Sequence, residues 1–167
     1  CDRLLPSGRY VSCDYGTQNA TVFLLWNKGT DGVWYCIREY YYSGRTEGKQ
    51  KTDSEYADDL ESWLEETKIK GIIVDPSAAS FIAELRKRGY KVVKAKNNVE
   101  DGIRVVGTKL NQEAIIFADS CVNTIQEFGS YIWDEAAAAH GEDRPVKEHD
   151  HAMDALRYFV YTILNNQ

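Results

Sequence analysis

Two aspartates come directly after short apolar runs that are typical of buried strands. Asp14 ends the first such run, and Asp75 follows Ile72-Ile73-Val74. Each is followed within two residues by glycine or proline, which turn the chain. Carboxylates at the carboxyl ends of core strands lie at the edge of an open α/β sheet, where ligands bind. Either residue alone is compatible with a turn or a cap, but neighbouring strands would bring both to one hollow, where a cation would relieve their repulsion.

Further along the chain, a histidine and an aspartate are spaced to share one face of a helix. His151 and Asp154 are three residues apart, which puts their β-carbons about 5–6 Å from each other on a helix. The opposite face is apolar and suited to packing on a sheet: Met153, Leu156, Phe159, Val160 and Ile163. An aspartate in the first turn also interacts well with the helix dipole, so a purely structural role is the alternative. His151 has the pKa range to ligate a metal, position water or transfer protons.

This set of side chains favours a metal ion with oxygen ligands. Asp14, Asp75 and Asp154 supply carboxylates, and the four cysteines show no spacing that is typical of a zinc site. Carboxylates and water suit Mg²⁺ or Mn²⁺ better than zinc or copper. Two such ions about 3.5–4 Å apart orient an attacking water and stabilise a leaving oxygen on phosphorus. We therefore expect two Mg²⁺ or Mn²⁺ ions at this site.

Length and composition indicate one folded domain. The chain has 167 residues, 43% of them hydrophobic, and no apolar run approaches the ~20 residues needed to cross a bilayer. The net charge of −6 argues against a domain that binds nucleic acid by charge alone. The start of the chain does not have the pattern of a signal peptide. The first residue is not methionine, which suggests either a piece of a longer protein or a processed chain. The cysteines are expected to be reduced, with Cys13 and Cys36 in the core.

The elements that must position these residues alternate along the chain. Three strands joined by short turns are predicted first, and strands then alternate with helices. The predicted strands are 9–14, 20–26, 33–42, 72–74, 90–94 and 114–117. The predicted helices are about 56–64 (capped by Asp53 or Ser54), 78–88, 99–110, 121–133 and 150–164, and residues 43–51 are predicted to be a loop. This order predicts an α/β fold with a mixed five- or six-stranded central sheet flanked by helices.

Three motifs, taken in order, resemble the large terminase subunits of tailed bacteriophages. Cys13-Asp14-Tyr15-Gly16 resembles that family's first motif, and Ile73-Val74-Asp75-Pro76-Ser77-Ala78 resembles its second. The run from Asp150 to Tyr158 resembles its C-terminal signature. Intermediate positions also fit: Asp101-Gly102-Ile103, Glu127, Tyr131, Trp133 and Asp134. The resemblance extends from about Tyr10 to Leu164, and the order and spacing of the motifs make it specific although each motif is short.

The resemblance implies an RNase H-like fold and a two-metal endonuclease that cuts concatemeric viral DNA during genome packaging. It maps the metal-binding carboxylates onto Asp14, Asp75 and Asp154, with His151 as an assisting group. It implies double-stranded DNA as the substrate. It also implies three partners, namely an ATPase motor domain of the same protein, the small terminase subunit and the portal of the procapsid. The implied location is the cytoplasm of an infected bacterial host, or of a host that carries a prophage, with no role for a membrane.

The sequence contains no ATP-binding loop of the P-loop type. The nearest match, from Gly44 to Gln50, is one residue short and lacks the serine or threonine that would bind Mg²⁺. We therefore expect one nuclease domain over residues 1–167, with its core at about 10–164 and the N-terminal ATPase motor domain absent from this chain.

Several basic residues could contact phosphate near the acidic site, although an ordinary solvated charge is the favoured explanation for each. They are Lys94, Lys96, Arg104, Lys109 and Lys147. Arg157 shares a helical turn with Asp154 and is expected to pair with an acid rather than with DNA. Tyr40-Tyr41-Tyr42 is expected to lie in a strand, and the lack of interleaved aromatic and basic residues argues against single-strand binding.

Two other functions remain open at this stage. A Holliday-junction resolvase of the same fold would prefer branched DNA over linear duplex. A catalytically silent module that binds DNA or a partner would bind metal without cutting, and the acidic charge of the chain is compatible with it.

Overall fold

The computed structural model describes residues 4–16, 20–129 and 151–165, and its centre is one six-stranded sheet. The strands are β1 (Leu4–Asp14), β2 (Ala20–Gly29), β3 (Trp34–Ser43), β4 (Gly71–Val74), β5 (Val92–Lys94) and β6 (Ile115–Phe117). They lie in the order β5-β4-β1-β2-β3-β6. The predicted α/β fold with a mixed central sheet is confirmed.

Strand direction decides where this sheet can bind a ligand. β1 is antiparallel to β2, and β2 is antiparallel to β3. β4 follows the direction of β1, β5 that of β4, and β6 that of β3. Every strand except β2 therefore points the same way, and their carboxyl ends share one side of the sheet, the carboxyl edge. Cys13 pairs with Val74, so Asp14 and Asp75 follow equivalent positions on neighbouring strands at this edge.

Helices cover both faces of the sheet. They are α1 (Gly44–Glu47), α2 (Asp53–Leu64), α3 (Ala79–Lys87), α4 (Val99–Asn111), α5 (122–129) and α6 (His151–Phe159), which continues as a π-helix at Val160–Leu164. One apolar core, between α2, α3 and the sheet, includes Phe23 and Phe81. The other lies under α6, where Phe159 stacks on Trp26 with ring centroids 4.4 Å apart. Both of these rings are fully buried, and burial of one large apolar side chain stabilises a fold by about 1.5–3 kcal/mol.

Among the described residues, no helix combines the length and the apolar character that a membrane span requires. Cys13 and Cys36 are fully buried free thiols, as expected, and burial raises the pKa of both.

Several element ends differ from the sequence prediction. β1 begins at Leu4 instead of Arg9, with an irregular register between these residues. The predicted loop at 43–51 contains the short helix α1. The predicted helix at 121–133 is described over 122–129 only, and the final α-helix gives way to a π-helix after Phe159.

The cap of α2 is also different from the prediction. The N-cap is Thr52, not Asp53 or Ser54: its hydroxyl accepts the backbone N–H of Glu55, and the Glu55 carboxylate accepts the backbone N–H of Thr52. The spacing Thr-x-x-Glu is the sequence signature of this reciprocal cap, so the correct start could have been predicted from the sequence.

Candidate metal centre

α6 carries two of the predicted site residues and packs against β1, β2 and β4. Ala152 and Ala155 are fully buried, and their small side chains let the helix backbone approach the strands closely. This packing brings the first turn of α6, with His151 and Asp154, next to Asp14 at the end of β1.

Three of the predicted residues converge at the carboxyl edge. Nδ1 of His151 lies 3.0 Å from Oδ2 of Asp14, across 137 positions of the chain. Asp14, His151 and Asp154 each offer a ligand atom such that all three atoms lie within 4.8 Å of one another. Their side chains are 14%, 19% and 29% exposed, respectively. These three residues, the Asp–His–Asp cluster, are therefore partly buried but open to solvent and to a substrate.

The ligand atoms of the Asp–His–Asp cluster fit a divalent cation. Carboxylate oxygens suit Mg²⁺ and Mn²⁺, and an imidazole nitrogen also suits zinc. The distances among the ligand atoms allow one ion to contact all three residues. The donor types and their separation are therefore compatible with the divalent metal that the sequence predicts.

Asp75 lies at the same edge. Among the described residues, however, the ligand atoms that lie within 4.8 Å of one another belong to Asp14, His151 and Asp154. The Asp75 carboxylate accepts the backbone N–H of Ser77 at Oδ1 and the hydroxyl of Tyr158 at Oδ2, both at 2.8 Å. Partial burial alone would raise the pKa of Asp75, but these hydrogen bonds, and one to Asn97, hold it below its usual value. Asp75 is therefore an anion that is joined to α6 through Tyr158.

The Tyr158 hydroxyl lies near the negative charges of all three predicted carboxylates. Burial raises the pKa of Tyr158, and the negative charges of Asp14, Asp75 and Asp154 raise it further. One buried hydroxyl on α6 is thus within electrostatic reach of all three aspartates.

Arg157 pairs with an acid, as expected from its position. Its guanidinium donates to Oδ1 of Asp154 at 3.1 Å and to the carbonyl oxygen of Asn97 at 3.1 Å, and the residue is 8% exposed. Gly102 of α4 makes room for it, because a β-carbon at Gly102 would lie 2.7 Å from Cγ and 2.8 Å from Cδ of Arg157. Gly102, in the segment Asp101-Gly102-Ile103, therefore has a packing role beside the site.

Glu127 of α5 is a neighbour of the site whose contacts the sequence did not predict. Its carboxylate oxygen Oε1 accepts the backbone N–H of Ala152 at 3.1 Å, which is one of the N–H groups that a helix start leaves without a partner. Burial, then the charge and hydrogen bond of Glu127, raise the pKa of Tyr41 to about 12, and Asp14 adds to the effect. No short-range spacing could signal the contact with Ala152, because the two residues are 25 positions apart.

The predicted phosphate-contact residues occupy different parts of the molecule. Lys94 ends β5 and Lys96 follows it, and both are exposed at the carboxyl edge. Arg104 of α4 is largely exposed and pairs with Asp101 at 3.5 Å. α4 leads from the end of β5 to the start of β6, so Lys109, near its last turn, lies toward the opposite edge. Lys147 lies outside the described residues, as do four residues of the predicted motifs, Tyr131, Trp133, Asp134 and Asp150.

Comparisons with known proteins give matches in sequence and in fold. No family model matches the chain. The terminase large subunit of Escherichia phage T5 is 27% identical over 157 residues, which are 92% of this chain and 34% of that protein. The large terminase of a thermophilic bacteriophage, in complex with ADP, has a TM-score of 0.85 and 58% identity over 95% of this chain and 40% of its own. The chain thus spans well under half the length of either relative.

Two nuclease domains that were solved separately share the fold. The nuclease domain of the P22 large terminase has a TM-score of 0.68 at 19% identity, over 96% of this chain and 84% of its own. The nuclease domain of the SPP1 large terminase, with bound Mn, has a TM-score of 0.60 at 18% identity, over 96% and 88%. The resemblance that the motifs predict is confirmed: the chain has the RNase H-like fold of bacteriophage large terminase nuclease domains and resembles large terminases in sequence.

Proposed function

We propose that the chain is the metal-dependent endonuclease domain of a bacteriophage large terminase and cuts concatemeric viral DNA during genome packaging. The convergence of Asp14, His151 and Asp154 within 4.8 Å carries this proposal, because residues far apart in sequence meet where such sheets bind ligands. The relatives from phage T5 and from the thermophilic bacteriophage, both large terminases, support the packaging role. In this proposal, residues 1–167 form one nuclease domain, and the ATPase motor lies in another part of the full-length protein.

We assign the metal ligands to Asp14, Asp75 and Asp154. Asp14 and Asp154 would bind a cation within the Asp–His–Asp cluster, and Asp75 would complete the acidic edge as an anion. Divalent cations bound at such sites lower the pKa of a water ligand and neutralise charge on phosphate oxygens. His151 would assist either as a further metal ligand or by donating a proton to the leaving oxygen.

We propose Mg²⁺ or Mn²⁺ as the metal and two ions as the working number. The bound Mn in the SPP1 nuclease domain supports a divalent cation, and two carboxylates with one imidazole suit Mn²⁺ well. The net charge of −6 adds a second reason, since bound cations would supply positive charge where a phosphate backbone approaches.

Double-stranded DNA is the proposed substrate, and the exposed Lys94 and Lys96 at the carboxyl edge support its approach from that side. In the full-length protein, the proposed partners are its own ATPase domain, the small terminase subunit and the portal of the procapsid. The proposed location is the cytoplasm of the bacterial host.

Cleavage of supercoiled plasmid tests this function. The wild-type chain should nick and linearise the plasmid with Mn²⁺ or Mg²⁺, and EDTA should stop the reaction. Asp14→Asn, Asp75→Ala and Asp154→Asn should each slow cleavage by more than about 100-fold, because even changes around the ligands of a metal site cost about 10–100-fold.

Asp119→Asn is the matched control for these variants. Asp119 is an exposed acid that follows β6 at the same edge, but β6 lies three strands from β1, which is about 14 Å. This variant should cut like the wild type. If Asp75→Ala cuts as fast as the wild type, Asp75 does not belong to the site. A strong preference for branched DNA over linear duplex would identify a resolvase. Metal binding without any DNA cleavage would identify a catalytically silent module.

A further inference from the structure

Tyr158 connects the helix that carries His151 and Asp154 to the strand end that carries Asp75. Its hydroxyl donates to Oδ2 of Asp75 at 2.8 Å, across 83 positions of the chain. The residue is 5% exposed, and a hydroxyl at such depth is normally held by a specific partner. The backbone N–H of Ser77 donates to the other oxygen, so two donors together fix the plane of the Asp75 carboxylate.

The preceding residue, Arg157, makes an equivalent connection for Asp154. Its guanidinium donates both to Oδ1 of Asp154 and to the carbonyl oxygen of Asn97. The side chain of Asn97 in turn lies close enough to Asp75 to lower its pKa, so Asn97 is a neighbour of both aspartates. A planar guanidinium holds a carboxylate in a defined geometry that a lysine ammonium cannot reproduce.

We propose that Arg157 and Tyr158 are positioning residues that orient Asp154 and Asp75 for binding a divalent cation. The inference rests on the proposed function, because it takes these two aspartates as metal ligands. Each positioning residue acts through the aspartate to which it is bonded. Ligands that are already oriented lose less freedom when an ion binds, so the affinity for the ion is higher.

Packing alone is the competing explanation for both residues, since the Arg157 guanidinium also lies 4.9 Å from the centre of the Tyr158 ring. Tyr158→Phe separates the two explanations, because it keeps the ring and removes only the donor. Tyr161→Phe is the matched control. Tyr161 lies three residues later, in the π-helix, and is partly buried against the same core, and the substitution also removes one hydroxyl.

Calorimetric titration of Mn²⁺ into the metal-free chain tests the inference without relying on cleavage. Tyr158→Phe should weaken Mn²⁺ binding by about tenfold, the lower end of the effect for residues that orient metal ligands. Tyr161→Phe should leave the affinity unchanged. Arg157→Lys, which keeps the charge and loses the planar fork, should also weaken binding. Thermal unfolding of the metal-free variants should show one cooperative transition for each, so that a change in affinity is measured on folded protein.

The possible results separate the inference from the nuclease assignment. Wild-type affinity in a folded Tyr158→Phe variant would overturn the positioning role and leave the proposed function standing. Equal weakening by Tyr158→Phe and Tyr161→Phe would reveal a general packing effect and would also overturn it. Absence of Mn²⁺ binding by the wild-type chain would overturn the positioning role and the proposed metal site together.

Discussion

Each of the three predicted carboxylates has a different partner on α6. Asp14 contacts His151, Asp154 contacts Arg157, and Asp75 contacts Tyr158. A fourth acid, Glu127, holds the N-terminal end of that helix through the backbone N–H of Ala152. A hydrogen bond to a charged acceptor contributes about 1.5–3 kcal/mol when it is protected from water. Glu127 therefore holds the backbone of α6 directly beside His151, although it lies outside the Asp–His–Asp cluster.

At the residue scale, we predict that the substitution Glu127→Ala destabilises the fold. We expect it to lower the free energy of unfolding by about 1–2 kcal/mol, because the N–H at the start of α6 loses its acceptor. Urea denaturation of the metal-free chain would measure the change. Glu127→Gln, which retains an acceptor oxygen without the charge, should lose clearly less, and an equal loss would argue against the cap.

At the scale of elements, α4 contains a glycine, a poor helix former, at the position where it packs against the side chain of Arg157. Glycine inside a helix is about 1 kcal/mol less favourable than alanine. α4 contains Gly102 and Gly107. A β-carbon at Gly102 would meet the buried side chain of Arg157, whereas a β-carbon at Gly107 would have no atom within 4 Å outside its own helix and chain neighbours. Gly107 is therefore replaceable in a way that Gly102 is not.

The two alanine substitutions should change stability in opposite directions. Gly107→Ala should raise the free energy of unfolding by up to about 1 kcal/mol through helix propensity alone. Gly102→Ala should lower it, because the displacement of Arg157 outweighs the same gain in propensity, and it should weaken Mn²⁺ binding as well. Urea denaturation and Mn²⁺ titration of both variants would check this. Equal stabilisation by the two substitutions would show that Arg157 moves aside at little cost.

Sequence patterns predicted the elements well and their contacts poorly. The apolar runs before Asp14 and Asp75 predicted strand ends correctly, because alternation and chain-turning residues are local signals. The spacing of His151 and Asp154 predicted a shared helix face for the same reason. The bonds of Asp75 to Tyr158 and of Glu127 to Ala152 depend on how distant elements pack, and no local pattern encodes that packing.

On the scale of the whole molecule, an acidic chain keeps a basic segment next to its acidic site. Six of its 20 lysines and arginines lie between positions 86 and 96, a stretch without any acid. Arg88 is held by acids, with Asp58 and Glu61 on α2 and Glu84 on α3. Lys94 and Lys96 are exposed at the carboxyl edge. This distribution supports the proposal that DNA would approach along the β5 side of the sheet.

Replacement of both Lys94 and Lys96 by alanine should weaken duplex binding and reduce its salt dependence. The slope of log affinity against log salt should fall by about 0.9 for each phosphate that the variant no longer neutralises. Fluorescence anisotropy of a labelled duplex with Ca²⁺ in place of Mn²⁺ would measure both quantities. Replacement of Lys68 and Lys70 by alanine removes the same charge just before β4, at the opposite edge, and should have little effect. An equal decrease in the two double variants would show that only net charge matters.

The chain order of the site residues has a consequence for synthesis on the ribosome. Asp14 and Asp75 emerge early, within the sheet, whereas His151 and Asp154 belong to α6, which follows all six strands of the described residues. A nascent chain that has emerged only through β6 therefore lacks two members of the Asp–His–Asp cluster. Contacts between residues so distant in sequence also slow folding, because a long loop must be closed before they form. Incomplete or truncated chains would then lack the proposed metal centre.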